Sequence, residues 1–174
     1  MKNTKKLVIS ALCVALGVVL PVVLHAVPNA GSVLLPMHLP VLLGGLICGP
    51  VYGLAIGALT PLLSSLITGM PPAAYLPSML CELAVYGLVA GLLIRLIKTK
   101  SQTANIYLAL IGAMLCGRLV YGALNALIFR AGDYSLSLWL TGAFVTALPG
   151  IVIQLVLISL VVVALRKAKL APAA

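Results

Sequence analysis

Residues 36–72 read PMHLPVLLGGLICGPVYGLAIGALTPLLSSLITGMPP, and the number of times this stretch crosses a bilayer decides the architecture of the whole chain. It is apolar enough for hydrocarbon. Yet Pro36, Pro40, Pro50 and Pro61 interrupt it, and Gly44, Gly45, Gly49, Gly53 and Gly57 strip side chains from it. Its helices are therefore short, interrupted or closely packed. The CGPVYG at 48–53 supplies a break, which predicts a short helix over about 36–48 and a fuller one over 51–68.

The surroundings put this stretch in a membrane. Of 174 residues, 63% are hydrophobic and 7% charged, and the mean hydropathy is +1.27; no soluble domain of this length carries such a surface without aggregating. Further apolar runs of helical length lie at 7–24, 75–97, 106–129 and 136–165, the last long enough to tilt. They lack the ten-residue alternation of a membrane barrel, so the chain crosses as helices. The start, MKNTKKLVISALCVALGVVLPVVLHA, has the basic head and apolar core of a signal peptide. Its apolar run is near span length and the next segment is also membranous, so it is kept as the first helix.

Charge settles the crossing number. Lys2, Lys5 and Lys6 precede the first run, Arg95, Lys98 and Lys100 sit midway, and Arg166, Lys167 and Lys169 follow the last. Cations so placed mark one side of the membrane, the cytoplasmic side. An even number of crossings must then separate the N-terminus from the loop at 95–100, so residues 36–68 contribute two or none, and the break at CGPVYG favours two. The expectation is an all-α integral membrane protein, one membrane domain over 1–174, with six transmembrane helices in a compact bundle and both termini cytoplasmic. The net charge of +9 forms no stripe on a soluble face, so no nucleic-acid partner is expected.

Two acidic residues, Glu82 and Asp133, are all the chain has. Glu82 lies inside SMLCELAVYG (78–87), roughly 10 Å below one end of its helix, with Tyr86 one turn deeper on the same face. Arg118, Tyr121, Gly122 and Asn125 share a face of the 106–129 helix, with Arg118 roughly 16 Å below the same end. An ionised residue in hydrocarbon costs about 2.5–3.5 kcal/mol even on the lenient insertion scale. Each charge must therefore face inward and find a partner. That partner is either the other charge, in a structural Glu82–Arg118 ion pair, or a ligand held between them, with His38, Tyr86, Tyr121, Asn125 and Trp139 supplying rings and hydrogen bonds. His38 stands between Pro36 and Pro40 in MHLP, which predicts extended backbone there. Arg130 and Asp133 in FRAGDYS read as a solvated turn, and Gln154 as an interhelical hydrogen-bonding group.

Catalytic chemistry finds no footing. There is no GxxxxGK[ST] loop, no HExxH, no GxSxG and no carboxylate pair. Cys13, Cys48, Cys81 and Cys116 lie singly in apolar runs, which predicts buried small side chains rather than a metal site or disulfide. No cofactor, metal or enzyme activity is expected.

The string ISALCVALGVVLP (9–21), with Ala11 and Ala15 one turn apart, and the MHLPVLLGG, GP and SLITGMPP strings that follow, in a chain of six short spans with basic ends, resemble the substrate-binding S component of an energy-coupling factor (ECF) vitamin importer. The similarity extends over essentially the whole chain. It implies a subunit of the bacterial plasma membrane that captures a small water-soluble vitamin outside the cell. A transmembrane T subunit and two cytoplasmic ATPases would complete this ABC-type importer and supply the energy. It also implies that the Ala11–Ala15 face docks on the T subunit, that the subunit topples in the membrane, and that the loops at 25–38 and 68–75 close over the substrate. One carboxylate, one guanidinium and several rings suit a vitamin B6 form such as pyridoxamine or pyridoxine, or hydroxymethylpyrimidine, with Glu82 accepting from an amine or ring N–H. If Arg118 instead neutralises Glu82 or meets a ligand carboxylate, pantothenate fits better. A proton-coupled secondary carrier and a structural membrane protein are the alternatives from other classes.

Overall fold

The structure is a computed structural model, described for residues 3–26 and 29–168. Lys2 and Lys169, counted above among the anchoring cations, and Val27 and Pro28 of the 25–38 loop lie outside the described residues. Helices α1 (Asn3–Val23), α2 (Ala30–Leu34), α3 (His38–Cys48), α4 (Pro50–Thr68), α5 (Leu76–Leu96), α6 (Gln102–Leu124), α7 (Leu136–Leu140) and α8 (Leu148–Lys167) follow one another. A π-helical turn, Asn125–Phe129, prolongs α6, and another, Thr141–Thr146, prolongs α7. Among the described residues six helical stretches are long and apolar enough to span a membrane: α1, α2 with α3, α4, α5, α6 with its π-turn, and α8. The protein is an all-helical, multi-pass membrane protein.

Local chemistry places the ends. Proline occupies the first turn of α4, α5 and α8, where its missing N–H leaves no helical bond unmade. Gly49, at φ 97°, turns the chain between α3 and α4, a conformation that side-chain-bearing residues rarely adopt. Ser101 Oγ accepts from Ala104 N at 3.4 Å to start α6, and Ser135 Oγ accepts from Leu138 N at 3.2 Å to start α7.

Two expectations are corrected. The apolar run at 136–165 is not one tilted helix. The chain leaves α7 through a π-turn and restarts at Leu148, because Pro149 cannot continue an existing helix but fits the first turn of a new one. The second span is likewise longer than 36–48: a helical turn, α2, precedes a break at Leu35, whose φ of 51° is left-handed. The break leaves backbone carbonyls to be satisfied at membrane depth, and Leu35 O accepts from His38 N at 3.1 Å and from Gln154 Nε2 at 3.4 Å. Gln154 on α8, 1% exposed, is thus the interhelical donor that non-helical backbone needs in a bilayer.

Helices α3, α4 and α5 form the tightest part of the bundle. A Cβ on Gly53 would strike the Gly87 carbonyl oxygen, and one on Gly87 would strike that of Gly53. Gly45 likewise abuts Gly87, and Gly57 abuts the Leu83 backbone. Such backbone-to-backbone approach is open only to glycine. Around it Leu42, Ile56, Leu83, Ile106 and Leu110 are fully buried, while Val8, Leu12, Leu66, Leu127 and Leu160 are turned outward, as lipid requires. At the basic end Lys6 Nζ lies 5.8 Å from the Tyr52 ring centroid, and the Arg95 guanidinium fills the space beside Gly49. The opposite end of the bundle is open.

Candidate substrate-binding cavity

At that opposite end a cavity of about 450 Å³ is framed by the end of α1, the α2–α3 break, the loop between α4 and α5, and the ends of α5, α6 and α7. Its volume lies within the range of small-ligand sites, and its wall has their composition, mostly apolar with a few convergent polar groups. Leu35, Pro36, Met37, Met70, Pro71, Pro72, Met79 and Leu138 give the apolar wall; His38, Glu82, Arg118, Tyr121, Arg130 and Tyr134 give the polar one.

Glu82 on α5 is 3% exposed. Its Oε1 lies 3.1 Å from Arg118 Nη1 on α6 and 3.8 Å from His38 Nε2 on α3. The helix packing produces this meeting. The glycine contacts clamp α3 and α5 together at Gly45 and Gly87, bringing their polar residues toward the same end. Gly117 has no side chain where Tyr86 lies, and a Cβ there would come within 2.7 Å of the ring. Tyr86 in turn meets His38 edge-on, with centroids 5.1 Å apart.

This cluster is crowded but not saturated. Both His38 ring nitrogens, Glu82 Oε1, and Arg118 Nε and Nη2 are buried without a hydrogen-bond partner. The Arg118–Glu82 approach is at ion-pair distance without the alignment of a hydrogen bond. Buried polar atoms are ordinarily satisfied; five unsatisfied atoms on three residues that line one cavity single this cluster out as the candidate site for a polar ligand.

The residues singled out in the sequence fall into two groups. His38, Glu82, Arg118 and Tyr121 line the cavity. Tyr86, Asn125 and Trp139 stand behind it. Asn125 Oδ1 accepts from Ser78 Oγ at 3.1 Å and its Nδ2 donates to Tyr121 O at 2.8 Å, so it ties α6 to α5. Trp139 Nε1 donates to Arg118 O at 3.0 Å, its ring lies over Gly122, and Phe144 meets it edge-on at 5.6 Å. It pins α7 to α6. His38 is the first residue of α3, not extended backbone, because Met37 before it is already helical at φ −67°, ψ −28°.

Arg130 is an addition to the sequence reading. It is a partly exposed turn residue, as expected, but it also lines the cavity beside Tyr134, its guanidinium carbon 5.4 Å from that ring centroid. The π-turn that ends α6 carries it there. Burial pushes the Tyr134 phenol above its ordinary value although Arg130 opposes the shift, so it stays protonated at neutral pH, able both to donate and to accept. Tyr75 on the loop before α5 also reaches the cavity. The aromatic residues that bracket the loops, Tyr75 and Tyr134, were the available signal.

Among the described residues no group of three His, Cys, Asp or Glu stands close enough to hold a metal ion. The profile of a family described as ECF transporter, substrate-specific component, matches residues 5–162. The chain belongs to this family. Comparison with curated proteins and with solved structures gives no match. As a substrate-specific component the chain is the substrate-binding subunit of a transporter rather than an enzyme, and its family operates with the T subunit and ATPases of the energy-coupling module.

Proposed function

We propose that this substrate-specific component captures a small water-soluble vitamin or vitamin precursor at the outer face of a bacterial plasma membrane. The cavity opens outward and the basic end, with both termini, faces the cytoplasm. The observation that carries the reading is the cluster of unpartnered buried atoms on His38, Glu82 and Arg118 at the wall of a cavity of about 450 Å³. A solely structural ion pair requires no such space beside it. Vitamin B6 forms, hydroxymethylpyrimidine and pantothenate are all small enough for this volume.

Release to the inside is the work of partners. In this reading a T subunit and two cytoplasmic ATPases supply the energy, and the T subunit docks on the lipid-facing side of α1, where Ala11 and Ala15 are both exposed one turn apart. Two alanines so spaced leave a shallow groove for a crossing helix. The loops at 25–38 and 68–75 carry Ser32 and Met70 to the cavity wall, a position from which they close over the substrate.

Thermal unfolding of the purified protein tests the capture step. One B-group vitamin at micromolar concentration is expected to raise the transition temperature, and Glu82→Gln to shrink that rise, because Gln carries no charge to hold Arg118 and His38 in place. A panel of vitamins without any response would leave a structural membrane protein as the better description. Uptake that persists in cells lacking the ECF ATPases would point to a proton-coupled carrier.

A further inference from the structure

Glu82 is the cavity's single acidic residue, and Arg118 Nη1 already stands 3.1 Å from it. Two guanidinium groups, Arg118 and Arg130, line the cavity together with that one carboxylate. With His38 neutral, the lining therefore carries a formal excess of one positive charge, two cations against one anion. The atoms left over on Arg118 have a definite geometry. Nη1 is turned to Glu82, while Nε and Nη2, the adjacent pair along the side edge of the guanidinium, are buried with no protein partner. That edge carries two parallel N–H bonds, the fork that matches the two oxygens of a carboxylate; because both atoms are buried, a carboxylate meets them once the side chain turns this edge to the cavity that Arg118 lines. An amine finds no equivalent: the Glu82 charge it needs is already shared with Arg118, and a second cation, Arg130, repels it.

We infer that the substrate is a small organic monocarboxylate, and that Arg118, oriented by Glu82, reads its carboxylate through the Nε/Nη2 edge while Arg130 draws the anion in from the rim. The inference rests on the cavity being the substrate site and goes further by assigning the substrate's charge. It turns the choice of vitamin away from the amine-bearing forms and toward the pantothenate type. The remainder of the ligand lies against Tyr121, Tyr134 and the methionine-lined wall, which suits a body with hydroxyl or amide groups and some apolar surface. A monoanion balances the excess charge; a phosphate dianion overshoots it.

The test uses full-length protein in detergent and compounds that differ at one group: pantothenate against pantothenol, nicotinate against nicotinamide, 4-pyridoxate against pyridoxine, with pyridoxamine and pyridoxal 5′-phosphate as cationic and dianionic members. Binding is read by calorimetry. One carboxylate is expected to bind, and its neutral counterpart to bind about ten- to a hundredfold more weakly, the range of a charged hydrogen bond. Arg118→Gln alone strands the buried Glu82, so the companion variant is Glu82→Gln with Arg118→Gln, which removes both charges. It is expected to abolish the preference for the carboxylate over its neutral counterpart. Arg130→Gln, at the rim, is expected to weaken carboxylate binding and flatten its dependence on salt. Equal binding of a matched pair, or binding of pyridoxamine or the phosphate ester with no carboxylate bound, overturns the monocarboxylate assignment and leaves vitamin capture standing. Failure of every compound to bind overturns both.

Discussion

Arg118 and Glu82 depend on each other for their burial. The two side chains are 9% and 3% exposed and 3.1 Å apart, so removing either strands the other in a low-dielectric interior. Arg118→Ala is expected to destabilise the protein by about 3–5 kcal/mol, the usual consequence of breaking a buried pair from one side. Glu82→Gln with Arg118→Gln is expected to lose clearly less, since no unpaired charge remains. Chemical denaturation of the two variants side by side checks this, and equal losses would mean that the pair contributes packing rather than charge compensation. Residue-level legibility was uneven. That Glu82 and Arg118 belong together could be read from the cost of placing an isolated charge in hydrocarbon. Nothing at this level distinguished Tyr121, on the cavity wall, from Asn125, four residues later on the same helical face and turned instead to Ser78.

At the level of elements, the glycine contacts decide how closely α3, α4 and α5 approach. Gly87→Ala would place a methyl group against the Gly53 carbonyl oxygen, and neither backbone can yield without separating the helices. The expected loss is about 1–3 kcal/mol, as for overpacking of a filled interior, with a lower transition temperature in thermal unfolding. Gly31→Ala, where no heavy atom lies within 4 Å of the added carbon, is the matched control and is expected to leave that temperature unchanged. The four-residue glycine spacing foretold close packing but not its partners. Gly49 proves to be the positive-φ turn between α3 and α4, and Gly53 and Gly57, with Pro50 against Gly91, bring α4 onto α5. The division of 136–165 was harder to see, since every residue from Leu136 to Thr146 is compatible with a continuous apolar helix and Pro149 alone signals the restart.

Over the whole molecule, the proposed capture and docking sites occupy separate regions. The cavity lies at one end, among α2, α3, α5, α6 and α7; Ala11 and Ala15 lie on the outward side of α1, which contributes only Pro21 to the cavity wall. Ala11→Trp or Ala15→Trp is therefore expected to abolish transport by the assembled importer while substrate affinity of the isolated subunit stays within about twofold, as for distant, independent sites. Uptake assays paired with calorimetry decide it. Loss of affinity in either variant would show that α1 communicates with the cavity, and normal transport would move the docking face elsewhere.

Membrane residence, helical class and six crossings were properties of the sequence itself. Each follows from local quantities, run length and the position of cations, that the bilayer constrains whatever the helices do to one another. The composition of the cavity wall came only with the tertiary structure. Which of Tyr86, Tyr121, Asn125 and Trp139 reaches the cavity depends on how each helix is rotated and tilted against its neighbours, and that is set by distant contacts such as Gly53 with Gly87. Arg130 joins the wall because a π-turn redirects the end of α6. The sign of the cavity's charge is for the same reason a property of the fold.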